Sequence, residues 1–410
     1  DGIPDPFAIL VIWLLGGIIS LCGATVYAEI ATTINKSGGE YSFLSEIYHP
    51  IVGFISGWIS IIVGFSAAIA ALALAAGEYF VPLLGMTAED TISGVPVVKL
   101  IGAAAIGLVV IVHVRGIKFG GSFQNYMTWL KLILIVIFLI MPFVFMSSGE
   151  GSGVSFAPDE DSWDIIFSGS FAGALVWVFF AYSGWNASTY IVGSLENPKK
   201  NLPYSLIVGT VVVTVVYMLL NFVFMYVATF DELALKPDLG YVVAKKVLGS
   251  KVGLIFSAVF SIALISGLSA MFIAGPRVVQ EMGKDYSVFK SLGRQSKNGA
   301  PVLAIFTIMV LSITMVFFSS FKDIIEYVGI TLSIFALLTV FGIFILRRRK
   351  IESETRVKAW GYPITPIIFI GFTLWMIFFF VSNDPTKMLY ALGTMLPAII
   401  IYYLTKNAVK

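Results

Sequence analysis

The sequence predicts an all-α polytopic membrane protein, and three observations carry the prediction. Hydrophobic residues make up 58% of the 410 and charged residues only 12%, against about a quarter charged in a soluble domain. Mean hydropathy is +0.93. Apolar stretches recur along the whole chain, most of them near the roughly twenty residues a bilayer crossing needs, between turns rich in Gly, Pro, Asn and charge.

In order, these stretches run from Phe7 to Ile30, Ile51 to Tyr79, Val97 to His113, Gln124 to Phe145, Ile165 to Ser194 and Pro203 to Ala228. Five more follow, at Val252 to Val279, Pro301 to Phe318, Ile324 to Leu346, Thr365 to Val381 and Leu389 to Leu404. Eleven spans are therefore expected. Orientation follows from where lysine and arginine fall, because they concentrate in cytoplasmic loops. With Asp1 outside, the inner segments hold eighteen of them and the outer ones seven. Arg347, Arg348, Arg349, Lys350, Arg356 and Lys358 form the densest inner group, and Lys406 and Lys410 place the C-terminus in the cytoplasm. The net charge of +2 says little about partners.

An outside N-terminus, an odd number of spans, no initiating methionine and no signal peptide together predict that the sequence lacks a first helix. A protein that naturally starts outside is the alternative.

The stretch from Ile165 to Ser194 runs about thirty residues, more than one crossing needs, and polar or small residues Tyr182, Ser183, Gly184 and Asn186 interrupt it. Two half-helices joined by an unwound turn are expected there. Backbone groups freed in hydrocarbon cost several kcal/mol each unless something pairs with them, and a ligand is the natural partner. A glycine-kinked helix held by its neighbours is the competing reading.

Lys131 lies among apolar residues in NYMTWLKLILIVIFLI. A lysine at mid-membrane costs roughly 2.5 to 3.5 kcal/mol, so such residues face a cavity, pair with a partner or take part in transport. Snorkelling toward the inner interface is the bland alternative. Glu29, Glu78, Glu196 and Glu326 stand within a turn or two of span ends, and most read as interfacial. No carboxylate pair within a span suggests a proton relay. Ser266 and Ser269 are neighbours on one helix face, with Ser261 further round; they serve either a ligand or helix packing. The lone Cys22 reads as a small buried hydrophobe. His49 and His113 have no second histidine or cysteine at ligand spacing, so neither a metal site nor any other cofactor is expected. Catalytic readings do poorly, since no Ser/His/Asp or Cys/His set sits at membrane depth.

Several ordered motifs resemble those of the amino acid, polyamine and organocation superfamily, within it the L-type amino acid transporter branch. They are IWLLGGIISLCGATVYAEIATTINKSGGEY, HVRGIKFGG with the Lys131 span, FFAYSGWN with ENPKKNLP, VTVVYMLLN, AGPRVVQEMGKD and KAWGYPITP, and they cover the whole chain. The resemblance implies a LeuT-type fold of inverted repeats with broken first helices meeting at mid-membrane. Residues 1–146 would be the remainder of the first repeat, 164–346 the second, and 362–404 two C-terminal helices.

It also implies a secondary transporter of neutral L-amino acids in the plasma membrane, exchanging substrates without sodium. The substrate site would comprise Phe180, Ala181, Tyr182, Ser183, Gly184 and Asn186. Carbonyls around Phe180 and Ser183 would receive the substrate ammonium and Phe180 would gate the site, while Trp185 would pack. Lys131 would stand where related proteins bind sodium, and Tyr217 and Ser266 would position it. Beyond the amino acid and the lipid bilayer no partner is implied, nucleic acid included. Branch members that join a glycoprotein subunit do so through a cysteine, and the corresponding stretch, Val81 to Pro96, contains none. A single-subunit, bacterial-type transporter without a disulfide-linked heavy subunit is therefore implied. A proton-coupled amino acid or polyamine importer of the same fold is the alternative, and a channel or nontransporting sensor a further one.

Overall fold

The computed structural model describes residues 3–147, 151–234, 238–318, 321–351, 353–383 and 385–405, excepting the side chains of 321–327, 330, 383, 387 and 390. Of the residues named above, Asp1, Lys406, Lys410 and the side chain of Glu326 fall outside that set.

Fifteen α-helices follow one another among the described residues: α1 Pro6–Ile34, α2 Glu40–Ile47, α3 Pro50–Ile59, α4 Ala68–Phe80, α5 Val97–Val114, α6 Ile117–Phe145, α7 Glu160–Ile166, α8 Gly169–Tyr182, α9 Pro198–Val227, α10 Phe230–Leu233, α11 Leu239–Asp285, α12 Val302–Phe318, α13 Phe321–Arg348, α14 Ile364–Asn383 and α15 Pro385–Thr405. The only strands among these residues are a two-residue pair, Thr91–Ile92 against Val95–Pro96. A π-helical segment, Ser60–Ala67, joins α3 and α4 into one span, and a 3-10 segment, Ser183–Ser194, continues α8.

Each apolar stretch read from the sequence falls on a helix. Eight helices among the described residues are long and apolar enough to cross a membrane, and the bent pair Glu160–Ile166 and Gly169–Ser194 passes the same test when taken as one span. Val302–Phe318 and Ala391–Thr405 are apolar but shorter. The family of folds expected, all-α and polytopic, is the one found.

Local chemistry explains several boundaries. Asp5 caps α1 by accepting from the Phe7 N–H at 2.9 Å, with Pro6 in the first turn where a missing N–H costs nothing. Ser168 caps α8 through the Phe171 N–H at 3.2 Å. The 63° bend lies there, between Ile166 and Gly169, rather than at Tyr182 to Asn186 as expected. At Ser183 the chain tightens from α to 3-10 geometry without unwinding, since Ser183 keeps φ −54° and ψ −20°. A long 3-10 run is uncommon because its hydrogen bonds are poorer. Here the Tyr217 hydroxyl on α9 donates to the Ala181 carbonyl at 2.8 Å and supplies an outside partner at the transition.

Close helix approach organises the centre. A Cβ on Gly16 would stand 2.4 Å from Val178 on α8, and one on Gly17 would stand 2.3 Å from Thr214 on α9. One apolar core groups α1 with α8, α13 and α14. Another groups the π-bearing span with α5, α11 and α12. A cavity lies between these two bodies, bounded by residues of both.

Glu29, near the end of α1, is not a solvent-facing acid. It is fully buried in α1, accepting from Arg347 Nε and Nη2 at 2.9 and 2.6 Å, Arg356 Nη2 at 2.7 Å and the Ala359 N–H at 2.6 Å. The guanidinium of Arg347 also lies 3.6 Å over the Tyr362 ring. Arg347 and Arg356, from the basic group between α13 and α14, thus close over a buried acid of α1.

Candidate functional site

The cavity has a volume of about 420 Å³. It is bounded by Gly64 and Phe65 of the π segment, Lys131 of α6, Phe180 and Ala181 of α8, Ser183, Gly184 and Asn186 of the 3-10 segment, and residues of α11 and α13. Most of its wall is apolar or aromatic, with a few convergent polar groups, the usual make-up of a small-molecule site. The π segment belongs to the same pattern, because such insertions reaim side chains and recur at functional positions.

The structure brings Phe180, Ala181, Ser183, Gly184, Asn186, Lys131 and Tyr217 to this one cavity. Tyr182 is not among them. One residue of helical rotation, about 100°, turns it away from this cavity, and its hydroxyl donates to the Trp13 carbonyl at 3.0 Å while its ring packs on Tyr217 with centroids 5.0 Å apart. Its place is at a second, smaller cavity of about 250 Å³ between the 3-10 segment and α9.

The expected carbonyls are partly engaged. Phe180 accepts from the Ser183 N–H, and Ala181 accepts from Tyr217. An oxygen has two lone pairs, so each retains room for a further donor. Tyr217 therefore orients the α8 end and makes no bond to Lys131. Lys131 itself is half-buried and forms no hydrogen bond or ion pair with the described residues. Ser266 does not border the cavity; it is buried in α11 with no partner for its hydroxyl among the described residues. The neighbouring serines serve packing. Ser261 donates to the Ala76 carbonyl at 2.9 Å, and Ser269 meets His113 Nε2 at 2.9 Å. No acid completes that pair among the described residues, so it is no catalytic triad.

Sequence reasoning missed Glu40. This acid opens α2, outside the spans, and is only 3% exposed at the cavity border. Its Oε1 accepts from Tyr27 Oη at 2.6 Å and from Asn186 Nδ2 at 3.2 Å. Burial pushes its carboxyl up to about 7, although the two donors pull the other way. The SGGE run gave a signal: Gly39 stands at φ +55°, and a Cβ there would meet Tyr190 at 2.5 Å, so glycine lets the backbone turn Glu40 inward. No group of three or more His, Cys, Asp or Glu among the described residues is placed to hold a metal ion.

Comparison with known proteins agrees with this architecture. The family model described as amino acid permease matches residues 2–404. The chain is 30% identical over 402 residues to the b(0,+)-type amino acid transporter 1 of Mus musculus, covering 96% of this chain and 80% of that protein. It is 29% identical over 363 residues to the serine/threonine exchanger SteT of Bacillus subtilis (strain 168), covering 88% and 80%. Against the large neutral amino acids transporter small subunit 2 of Mus musculus it is 27% identical over 401 residues, covering 96% and 73%.

Proposed function

The chain belongs to the amino acid permease family, and on that premise we propose that it exchanges neutral L-amino acids across the plasma membrane without sodium, by alternating access around the central cavity. It is a multi-pass membrane transporter of amino acids and not an enzyme. The observation that carries the finer reading is the meeting at one cavity of Phe180, Ala181, Ser183, Gly184 and Asn186 with an unpaired lysine, Lys131.

The division of labour follows from charge. An ammonium group needs acceptors, which the carbonyls at the end of α8 offer, while Phe180 closes the apolar side over the substrate. Lys131 supplies a fixed cation at the cavity wall, so no sodium ion is needed there. The inverted repeats, residues 1–146 and 164–346, would move against one another about this site, with the basic inner segments and the C-terminus in the cytoplasm. Likeness to a protein named an exchanger supports exchange over uniport. A single-subunit protein without a disulfide-linked companion accords with the cysteine-free stretch from Val81 to Pro96.

The test is transport by the protein reconstituted in liposomes. Uptake of a labelled neutral amino acid in sodium-free buffer should saturate and should require unlabelled amino acid inside. The absence of saturable uptake for any amino acid, with or without preloading, would defeat the proposal. One observation favours a second reading. Lys131 has no carboxylate partner among the described residues, so it could lose and regain a proton during the cycle and drive import. Uptake powered by a proton gradient into empty vesicles would select that reading.

A further inference from the structure

From the end of α13 to the start of α14 the chain carries six basic residues, Arg347, Arg348, Arg349, Lys350, Arg356 and Lys358, against two acids, Glu352 and Glu354. Two of the six are engaged internally, since Arg347 and Arg356 close over Glu29. The other four are exposed and form no ion pair with the described residues. Arg349 Nη1 donates to the Glu46 carbonyl at 3.4 Å, while the Glu46 carboxylate is taken by Lys36.

The segment that presents these cations is fastened to α1. The Thr355 hydroxyl donates to the Thr32 carbonyl at 2.5 Å, the Val357 N–H donates to the Thr32 hydroxyl at 3.0 Å, and the Ala359 N–H donates to Glu29 at 2.6 Å. Arg356 Nη1 donates to the Ile351 carbonyl at 3.1 Å, which keeps the two basic stretches neighbours. Cations on an ordered platform lose less freedom on meeting an anion than cations on a free tail. Beside them Trp360 is 77% exposed, and Ile364, the first residue of α14, is exposed as well. The flanking spans end at Arg348 and begin at Ile364, so cations and indole lie where acyl chains give way to headgroups.

We propose that Arg348, Lys350 and Lys358 form a docking surface for the phosphate of an anionic phospholipid, with Trp360 and Ile364 at the boundary of its acyl chains. Charge complementarity selects the occupant. A phosphodiester supplies the negative charge that the described acids leave unsupplied, and its acyl chains cover the exposed indole, which a soluble anion does not. Four free cations beside a span fall in the range at which basic groups recognise anionic lipid, each changing affinity about fivefold. Because the surface joins α1, α13 and α14, a lipid held there couples membrane composition to the stability of that body, whatever substrate the protein carries.

The experiment melts the purified protein in neutral detergent with phosphatidylglycerol or with phosphatidylcholine of the same acyl chains. Phosphatidylglycerol should raise the melting temperature several degrees more, and raising salt from about 0.05 to about 1 M should erase the difference. Arg348→Gln/Lys350→Gln/Lys358→Gln should raise the half-stabilising phosphatidylglycerol concentration at least tenfold. Lys290→Gln/Arg294→Gln/Lys297→Gln, which removes three charges between α11 and α12, should leave it within about twofold. Equal stabilisation by the two lipids, an unchanged concentration in the first variant or an equal loss in the second would overturn the surface.

Lys358→Gln alone covers a triple variant that fails to fold. It should weaken phosphatidylglycerol about fivefold while melting as the wild type does in phosphatidylcholine, and an unchanged midpoint would overturn the proposal. Inorganic phosphate or polyglutamate that gives the full shift without lipid would assign the surface to a free phosphate compound or to an acidic protein segment, and would overturn it too.

Discussion

Glu29 offers the sharpest structural test. Replacing it with glutamine keeps one acceptor oxygen but removes the single negative charge that two guanidinium groups share. Four donors converge on the native carboxylate, three from Arg347 and Arg356 and one from the Ala359 backbone. Breaking a fully buried pair costs about 3–5 kcal/mol. The arginine side chains are 22% and 16% exposed, so water recovers part of this, and a loss of about 2–4 kcal/mol is expected. Lys36 and Glu46 form the matching control. That pair is 61% and 50% exposed, and Lys36→Ala should cost only about 0–1 kcal/mol. Thermal unfolding of the purified protein in detergent, followed by loss of the monodisperse peak, reads both variants. Glu29→Gln should melt several degrees lower and Lys36→Ala close to wild type. Equal melting temperatures for Glu29→Gln and wild type would refute the view that this buried acid ties α1 to α13 and the segment before α14.

Three further expectations follow from named contacts. Lys131→Ala should reduce exchange more than tenfold while the protein still purifies as a monodisperse species; wild-type rates would show that the side chain only reaches the interface. Gly39→Ala combines a left-handed φ with a Cβ 2.5 Å from the Tyr190 ring, and should cost about 1–3 kcal/mol in a melting assay. The Glu40 carboxyl, raised from 4.5 to about 7 in the folded protein, binds a proton more tightly folded than unfolded. Stability should therefore fall as pH rises between about 4.5 and 7, by an amount on the order of 3 kcal/mol. Glu40→Gln should remove that part of the pH dependence, and an identical slope in the variant would contradict it.

Much of the architecture was legible in the sequence because hydrocarbon imposes length and apolarity on every crossing. Lys131 stood out for the same reason, as a charge with apolar residues on nearly every side of it in the chain. The bend in the Ile165 to Ser194 stretch sits at the Ser168 cap, which the apolar pattern does not mark, and the tightening at Ser183 was not legible because a partner on another helix attends it. Tyr217 stabilises the tightened turn at Ala181 from 36 residues away. Tyr182 was misplaced for a different cause: the whole polar run was assigned to one site, although successive helical residues point about 100° apart. Glu29 and Glu40 were hidden by separation. Their partners lie up to 330 and 146 residues along the chain, and near a span end a buried acid and an interfacial one look alike in sequence.

Counterflow tests the exchange of neutral amino acids most directly. Liposomes carrying the protein are loaded with unlabelled leucine, placed in sodium-free medium, and given a trace of labelled leucine outside. Label should accumulate transiently, in a manner that saturates with concentration, depends on the internal amino acid and is abolished by Lys131→Ala. Uptake that is linear in concentration, or that is the same in empty and loaded vesicles, would contradict it.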